Sequence, residues 1–295
     1  MSFFFSLFKG GTKALRGYNL GALPGIRALH AKLYGALRPR GFVEVPVFGR
    51  KMIIDAEDKG GAHEYLINNN FNPYETEVFR NVIKPGMSVI DVGAHIGYFS
   101  ILAADGAGPT GRIYAFEPEP KNFELLKRNI ALNNLTNVVC EQKALAERSG
   151  SDALYRDEQN LGNMSFAAAN IPESHRGAVL TVSSVTLDEY CKDIPVDFIK
   201  MDVQGAEGKV LEGGLETARK AKVMLIEFWP YGLRNLGTDP RTFLDTIAGM
   251  GYTLYLLNES THAMKPISPE RLLGISANRP DGKGWANILC VREVA

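Results

Sequence analysis

Long apolar runs are missing from this sequence: no stretch approaches the ~18 consecutive apolar residues that a membrane-spanning helix requires. Cysteine is scarce as well, and Cys140, Cys191 and Cys290 lie too far apart to match a metal-ligand spacing. The formal net charge is zero, so no general affinity for nucleic acid is expected. These absences argue against a spanning segment and a nucleic-acid partner, and they favour a reducing, cytoplasmic compartment.

Acidic residues are absent from residues 1–43, whereas seven basic residues fall there. The same segment contains the aromatic run 3–8 (FFFSLF), which is too short to span a bilayer and lacks the features of a secretory signal. Aromatic and basic side chains together suit an anionic membrane surface. We predict a basic amino-terminal helical arm over residues 1–41. Peripheral contact with the inner face of a membrane is one role for it, and a packing or oligomer contact is the alternative.

The rest of the composition is that of an ordinary soluble domain, with 45% apolar and 22% charged residues. A chain of 295 residues fits one large domain with an appendage. We place that domain at residues 42–295 and leave the oligomeric state open.

One stretch organises the chain. Residues 89–100 (VIDVGAHIGYFS) predict a strand, a turn of small residues and the start of a helix. A bulky residue at Gly93 is expected to block the approach of a ligand to the turn, where the helix presents free N–H groups and its positive dipole end. A second predicted strand ends in Glu117, at the place where a nucleoside-binding α/β fold holds a ribose diol.

Two cofactors could use this turn. A dinucleotide site requires the pattern G-x-G-x-x-G, but here three residues separate Gly93 from Gly97 and the second glycine of that pattern is missing. Asp91 precedes the turn, and its carboxylate repels phosphate but suits the ammonium group of an amino acid. S-adenosylmethionine joins an α-amino acid to adenosine, so the turn favours a methyltransferase over a dehydrogenase. A structural turn without a ligand is the remaining alternative.

Strands and helices alternate after residue 80, which is typical of a doubly wound α/β sheet with helices on both faces. A hairpin is predicted before them, over residues 42–54. A polar stretch, 147–178, interrupts the alternation and is too long for a plain connection; we interpret it as a lid or substrate loop, with a disordered insert as the alternative. One helix is predicted over residues 206–219. The seven predicted strands are 88–92, 112–117, 138–141, 196–202, 223–228, 252–257 and 287–291.

Four motifs lie at or shortly after the ends of these predicted strands: 91–98 (DVGAHIGY), Glu117-Pro118 with Asn122, 197–207 (DFIKMDVQGAE) and, in the helix that follows the last of these, 210–213 (VLEG). In combination they resemble the FkbM family of S-adenosylmethionine-dependent methyltransferases. The resemblance covers about residues 45–260. It departs from the family pattern at Gln204, where the family usually has an acid.

The resemblance implies a Rossmann-like class I methyltransferase fold, with a seven-stranded, mostly parallel sheet of order 3-2-1-4-5-7-6 flanked by helices. It implies methyl transfer from S-adenosylmethionine to oxygen. The acceptor is typically a hydroxyl group of a sugar, a glycan or glycolipid, or another secondary metabolite, and the resemblance does not specify which.

The family pattern and the position in the fold together predict the cofactor site. The turn and the acid before it are expected to hold the methionine half, and the acid after the second strand the ribose hydroxyls. Ala144, just past the third predicted strand, is placed beside the adenine by its position alone. The predicted cofactor-binding residues are Asp91, Gly93, Ala94, His95, Gly97, Tyr98, Glu117, Pro118, Asn122 and Ala144.

The predicted catalytic residues lie at the carboxyl edge of the fourth and fifth strands, where open α/β sheets bind ligands. Asp202 is the candidate general base for the acceptor hydroxyl, and Lys200 or Glu227 would tune it. In one alternative, Asp202 and Glu227 hold Mg²⁺ through their oxygen atoms. In another, the three residues form an ion-pair network without catalytic function. Glu75 and its neighbour Tyr74 are further candidates for reaching the cofactor.

An O-methyltransferase is therefore the leading hypothesis. A nicotinamide-dependent dehydrogenase is disfavoured because the sequence has neither the second glycine nor a Tyr-x-x-x-Lys pair. A non-catalytic protein that binds a nucleoside cofactor, or acts as an adaptor at a membrane surface through its basic arm, is the alternative from a different class.

Overall fold

Two units divide the chain, residues 1–71 and residues 72–295. The computed structural model describes residues 3–14, 24–277 and 282–292. The boundary predicted at residues 41 and 42 lies within the first unit and stays a prediction. Each unit is described by itself below.

The first unit contains a β-hairpin flanked by helices. The two strands pair antiparallel around a turn in which Phe48 and Gly49 both have positive φ, as the hairpin predicted at residues 42–54 requires. Val45, Val47 and Met52 bury their side chains on one face of the hairpin. The elements are α1 (Phe3–Ala14), α2 (Pro24–Leu37), β1 (Phe42–Val47), β2 (Arg50–Asp55) and α3 (Ala62–Asn68).

Aromatic side chains join the three helices of this unit. Phe5 is fully buried on α1, and its ring centroid lies 6.3 Å from that of Tyr34 on α2. Tyr34 in turn packs edge-to-face on His63 of α3, with 4.7 Å between the centroids. Helices α1 and α2 thus occupy the described part of the predicted arm, and residues 15–23 between them lie outside the described residues.

The second unit is an α/β fold. Its strands are β3 (Ser88–Val92), β4 (Arg112–Phe116), β5 (Val138–Glu141), β6 (Ala144–Leu145), β7 (Gly150–Asp157), β8 (Arg176–Val185), β9 (Phe198–Met201), β10 (Val223–Phe228), β11 (Tyr252–Asn258), β12 (Ala263–Pro266) and β13 (Ala286–Arg292). Its helices are α4 (Pro73–Val82), α5 (Tyr98–Ala107), α6 (Pro120–Leu132), α7 (Leu187–Tyr190), α8 (Glu207–Glu212), α9 (Leu215–Lys220), α10 (Pro230–Asn235), α11 (Pro240–Gly249) and α12 (Pro269–Ala277).

The main sheet has the order β12-β11-β13-β10-β9-β3-β4-β5 and is mostly parallel. Seven of these strands, all except β12, follow the order 3-2-1-4-5-7-6, and β13 runs antiparallel between β10 and β11. The predicted count of seven strands was wrong by one. The additional strand β12 pairs antiparallel with β11 at the edge. It has four residues, most of them exposed, and it ends in a proline, so it lacks the apolar alternation that identifies a strand in sequence.

The polar stretch at residues 147–178 is folded, and the alternative of a disordered insert was wrong. Strands β7 and β8 form an antiparallel pair, and β6 extends it into a three-stranded sheet. Leu154 and Val182 pack with Ala144 and Met164 in a small apolar core of this sheet. The loop between β7 and β8 comes back toward the main sheet, where it contributes to the site described below.

Two glycines interrupt the helix predicted over residues 206–219, which is instead the pair α8 and α9. A Cβ atom at Gly213 would collide with the carbonyl oxygen of Ala146, so the chain passes too close to its neighbour for a side chain there. The fourth predicted strand is also shorter than expected: β9 ends at Met201, and Asp202 therefore lies just beyond the strand, at its carboxyl edge.

Candidate functional site

A cleft of about 570 Å³, including its open mouth, lies at the carboxyl edge of β3, β4 and β9. Its size is within the range of small-molecule sites. Seven of the thirteen residues that we predicted for cofactor binding and catalysis line it. They are Gly93, His95, Glu117, Pro118, Asn122, Ala144 and Asp202.

The turn after β3 is held by backbone hydrogen bonds. The N–H groups of Gly93 and Ala94 both donate to the carbonyl oxygen of Phe116 at the end of β4, at 3.0 and 2.8 Å. The side chain of Asn129 donates to the carbonyl oxygen of Ile96 at 2.8 Å. The turn is therefore shaped by its neighbours before any ligand binds.

Gly93 packs against a neighbouring chain segment in addition to lining the cleft. Its φ is +77°, and a Cβ atom there would collide with the carbonyl oxygen of Asp202 on the neighbouring chain segment. Gly97, with φ +93°, would bring a Cβ atom to 2.7 Å from the side chain of Leu126 on α6. Both glycines allow close packing within the protein. Gly93 also lines the cleft, so the expectation that a side chain there would obstruct a ligand stays a prediction.

Asp91 lies beneath the turn and does not line the cleft. It is 2% exposed, and its Oδ2 accepts a hydrogen bond of 2.6 Å from the hydroxyl of Ser100 in α5. Its Oδ1 has no hydrogen-bond partner. Burial raises the pKa of Asp91, although Lys200 on the paired strand β9 opposes that shift.

Three more predicted cofactor residues also lie behind the wall of the cleft. Ala94 is buried and contributes its N–H group to the turn, and Gly97 immediately precedes α5 as its N-cap. Tyr98 is buried too, and its hydroxyl lies 3.0 Å from Oγ1 of Thr76 on α4. These positions support the turn from behind.

Glu117 forms the far wall of the cleft, at the end of β4. Its Oε2 accepts from the N–H of His95 and its Oε1 from the N–H of Glu119, both at 2.9 Å. His95 adopts a positive φ of 52°, which aims its N–H group at this carboxylate. Burial raises the pKa of Glu117 to about 8, and the two N–H donors oppose that rise only in part.

Asn122 offers the cleft an acceptor without a partner. Its backbone N–H donates to the carboxylate of Glu119, which caps α6, and its Nδ2 donates to the carbonyl oxygen of Leu161 at 2.9 Å. The residue is 1% exposed, yet its Oδ1 has no hydrogen-bond partner. A buried amide oxygen without a donor is costly, and a ligand hydroxyl or amine in the cleft would satisfy it.

A charged cluster stands at the ends of β9 and β10. Lys200 is 2% exposed, and its Nζ lies 3.4 Å from Oδ2 of Asp202 and 4.4 Å from the ring centroid of Phe99. Gln204 connects two carboxylates, because its Nε2 donates to Oδ1 of Asp202 at 2.8 Å and to Oε2 of Glu227 at 2.9 Å. Of the predicted catalytic residues, Asp202 lines the cleft, whereas Lys200 and Glu227 lie behind it.

The electrostatics of the cluster divide its members into two kinds. Burial alone would lower the pKa of Lys200, but the surrounding carboxylates, with Asp202 the strongest, hold it above its usual value. Burial, reinforced by Asp202 and Glu207, raises the pKa of Glu227 well above its usual range. Lys200 is therefore a fixed positive charge and Glu227 a carboxyl group that retains its proton to unusually high pH.

Glu75 joins this cluster from a distant part of the chain. Its Oε2 accepts from Nδ2 of Asn287 on β13 at 2.7 Å and from Nδ2 of Asn72 at 2.8 Å. Burial raises its pKa to about 7, and Lys200 opposes the shift. Glu75 does not line the cleft. The structure therefore places Glu75 close to Lys200 and not in the wall of the cleft.

The loop between β7 and β8 supplies residues that sequence reasoning missed. Leu161, Met164 and Phe166 line the cleft with apolar side chains. Ser165 and Asn170 donate to the carbonyl oxygen of Gln204 at 2.8 and 2.9 Å. The signal available in sequence was the small-residue run at 161–165 (LGNMS), but nothing in it indicated which strand edge the loop would reach.

Metal binding finds no support in the side-chain geometry. Within residues 3–14, 24–277 and 282–292, no three or more His, Cys, Asp or Glu side chains are grouped so that they could hold a metal ion. Asp202 and Glu227, the pair considered for Mg²⁺, are instead connected through the amide of Gln204. This arrangement gives the Mg²⁺ alternative no support.

Comparison with known proteins gives a consistent result. The sequence profile of the methyltransferase FkbM domain matches residues 91–254. "Methyltransferase 1" of Beauveria bassiana is 31% identical over 42% of this chain, but the match covers only 57% of that protein, less than two thirds of its length. The "2-O-methyltransferase NoeI" of Sinorhizobium fredii is 23% identical over 56% of this chain and 72% of its own length.

A similar solved structure is that of methyltransferase FkbM from Methylobacillus flagellatus KT. It is 16% identical, with a TM-score of 0.41, and the match covers 77% of this chain and 52% of that one.

Proposed function

The chain belongs to the methyltransferase FkbM domain family, and we propose that it is an S-adenosylmethionine-dependent O-methyltransferase that acts on a hydroxyl group of a sugar, a glycan or glycolipid, or another secondary metabolite. The observation that carries the proposal is that one cleft is bordered by Glu117 at the end of β4 and by Asp202 at the end of β9. The first carboxylate suits a nucleoside, and the second is placed to act on an acceptor bound beside it.

The residues of the cleft fit the cofactor. S-adenosylmethionine supplies, when bound, a methyl group on a positively charged sulfur atom. Glu117 would accept hydrogen bonds from the ribose hydroxyls, and the partnerless Oδ1 of Asn122 would accept from the same nucleoside. Ala144 and the apolar side chains of Leu154 and Met164 line the cleft around them and would exclude water from the adenine.

Asp202 would act as the general base toward the acceptor hydroxyl. Its side chain is 30% exposed, so a hydroxyl group can approach it from the cleft. Lys200 on one side and Gln204 on the other hold its two oxygen atoms, which restricts its rotation and positions it for proton transfer. The charge of Lys200 also stabilises the carboxylate, and it favours an alkoxide developing nearby.

Aromatic rings near the carboxyl end of β10 suit a sugar acceptor. Trp229 follows β10 directly, and Trp285 precedes β13, whose Ala286 pairs with Phe228 at the end of β10. Trp229 lies 5.7 Å from the ring of Tyr231, and Trp285 is 41% exposed. Exposed aromatic faces bind the apolar C–H faces of sugars. The name of the Sinorhizobium relative, a 2-O-methyltransferase, agrees with a hydroxyl acceptor.

The proposal is tested first by calorimetric titration of the purified protein with S-adenosylhomocysteine and, separately, with NAD⁺. We expect micromolar binding of S-adenosylhomocysteine and no binding of NAD⁺. The next step is a screen of hydroxylated metabolites, sugars and glycolipids for transfer of a labelled methyl group. Binding of NAD⁺ alone would favour a dehydrogenase, and binding of S-adenosylhomocysteine with no acceptor at all would favour a non-catalytic cofactor-binding protein.

The raised pKa of Glu117 predicts that nucleoside affinity depends on pH. In the ligand-free protein this pKa is about 8, whereas ribose hydroxyls that donate to the carboxylate favour its ionised form. Below pH 8 the protonated carboxyl group of Glu117 must lose its proton when the nucleoside binds. The affinity for the nucleoside should therefore rise with pH and level off above about pH 8. Adenosine, which carries the diol but no amino-acid charge, is the suitable probe. We expect its dissociation constant to fall about tenfold between pH 6.5 and 8.

Glu117→Gln should weaken adenosine binding at pH 8.5 and remove this pH dependence. Glu207→Gln is the matched control, since burial raises the pKa of Glu207 to about 7 but its carboxylate accepts from backbone N–H groups of Val203 and Gly205 and does not line the cleft. A pH dependence that survives in Glu117→Gln would show that another group holds the ribose.

Gln204 provides a separate prediction about the carboxylates that it connects. Gln204→Glu would replace the bridging amide with an ionisable carboxyl group between the carboxylate of Asp202 and the protonated carboxyl group of Glu227, and a like charge beside Asp202 disfavours its ionisation. We expect the acidic limb of the kcat/KM profile to move upward by about one pH unit. Gln204→Ala should lower kcat with a smaller displacement of the limb. Gln142→Glu, the same change on an exposed side chain, should leave the profile unchanged; an unmoved limb in Gln204→Glu would mean that the bridge does not affect the catalytic group.

A further inference from the structure

Large exposed apolar side chains are concentrated in the first unit. Of the eleven such side chains in the described parts of the chain, eight lie within residues 1–71. Six of these eight belong to the two helices α1 and α2: Phe3, Phe4, Leu7, Ile26, Leu29 and Leu33. Scattered single apolar residues need no explanation, but a concentration of this kind marks a surface that binds something.

These six side chains are on the outside of the helix pair. On α2, Ile26, Leu29 and Leu33 are spaced three and four residues apart and share one face of the helix. An adjacent face carries His30 and Tyr34, which pack against α1 and α3.

Helix α1 is arranged in the same way. Phe5 is completely buried, whereas Phe3, Phe4 and Leu7 are between 66% and 76% exposed. Two of its residues contact His30 on α2. Oγ1 of Thr12 lies 3.3 Å from Nε2 of His30, and the ring centroid of Phe8 lies 5.0 Å from that of His30. Each helix therefore uses one face for the unit and leaves an apolar face uncovered.

The charged side chains of the two helices themselves are all basic. Residues 1–43 carry seven basic side chains and no acidic one. Among them Lys13 on α1, and Arg27 and Lys32 on α2, are exposed. Exposed phenylalanine and leucine among exposed lysine and arginine are the combination that binds the headgroup region of an anionic bilayer.

We propose that helices α1 and α2 bind the surface of an anionic lipid bilayer, with Phe3, Phe4, Leu7, Ile26, Leu29 and Leu33 inserted among the lipids. A second copy of the chain is the less suitable occupant, because the helix pair of one copy carries no acid to offset the basic side chains on the helix pair of the other. The helices lie on the membrane and do not cross it: no helix in the described ranges has the length and apolarity to span a bilayer. Apolar insertion and charge are both needed, since one such signal alone gives weak, reversible binding.

Co-sedimentation of the complete protein with vesicles tests the proposal. One set of vesicles contains phosphatidylcholine alone. The other contains phosphatidylcholine with about one third anionic phosphatidylglycerol. We expect binding at least about tenfold stronger to the anionic vesicles, and its loss in concentrated salt, because screening removes the attraction of the basic side chains. No binding to anionic vesicles, or equal binding to both kinds, would overturn the proposal.

Two pairs of variants separate apolar insertion from charge. Phe4→Ser with Leu7→Ser should weaken binding at least about tenfold, whereas Val179→Ser, a change at an exposed apolar residue of β8, should not.

The contribution of charge is tested separately. Lys13→Glu with Lys32→Glu should abolish the preference for anionic lipid. Lys121→Glu with Lys265→Glu makes the same change of net charge on exposed residues of the second unit and should leave that preference intact. Wild-type binding by the first member of either pair would refute the assignment to these helices. So would a dimer that Phe4→Ser with Leu7→Ser dissociates, because it would identify protein as the occupant.

Discussion

Asp202→Asn is expected to lower kcat for methyl transfer by about 10²- to 10⁴-fold and to leave the dissociation constant of S-adenosylhomocysteine within about threefold of the wild-type value. Asparagine preserves the shape of the side chain and can still accept from Gln204 through its oxygen, but it cannot take the proton of an acceptor hydroxyl. The effect should therefore fall on the chemical step and not on the binding of the cofactor.

The surroundings of Asp202 explain why we propose it, and not a neighbouring residue, as the base. Lys200 is buried among carboxylates that raise its pKa, so it stays protonated and cannot accept a proton. Glu227 and Glu75 are carboxyl groups whose pKa values are raised by burial, and neither lines the cleft. Asp202 combines contact with the cleft and a lysine 3.4 Å away that stabilises its charge.

Asp197→Asn is the matched control, since it makes the same change at the other end of the same chain segment. Asp197 accepts from the N–H of Ser88 and from Nζ of Lys222, both away from the cleft. It should alter stability slightly and kcat hardly at all. Single-turnover transfer of a labelled methyl group measures both variants. Near-normal turnover in Asp202→Asn would show that Asp202 is not the general base, and it would leave positioning of the two substrates as the source of catalysis.

The overall fold could be predicted because its signals are local. Apolar runs with turn residues between them identified seven strands, and the motif resemblance supplied their order. Edge strand β12 escaped because four mostly exposed residues leave no apolar pattern. The break between α8 and α9 escaped because it depends on a contact of Gly213 with Ala146, 67 residues earlier in the chain.

The candidate site could be predicted in part for a geometric reason. The carboxyl ends of parallel strands meet at one edge of a sheet, so Glu117 and Asp202 were expected near each other without knowledge of the packing. The bridge from Gln204 to Glu227 and the approach of Glu75 to the lysine depend on side-chain directions at the ends of separate elements. Such contacts leave no periodic pattern in the sequence.

Gly93→Ala is expected to lower the free energy of unfolding of the second unit by about 3 kcal/mol or more. Two effects add: an alanine at φ +77° is strained, and its Cβ atom collides with the carbonyl oxygen of Asp202. That carbonyl cannot easily move, because the N–H of Asp202 donates to Val92 and the pairing of β3 with β9 fixes the two segments side by side. The backbone must yield instead, and the turn that borders the cleft moves with it.

Gly237→Ala separates strain from collision. Gly237 has a similar φ of +83°, but nothing lies within 4 Å of its added Cβ atom, so only the cost of the left-handed backbone remains, about 1 kcal/mol. Urea unfolding followed by tryptophan fluorescence measures both variants, since both tryptophans of the chain lie in the second unit. Equal losses in the two variants would show that the segment at Asp202 yields easily. A loss at Gly93 that exceeds the control and also weakens S-adenosylhomocysteine binding would establish that the same packing contact shapes the sheet edge and the cofactor wall.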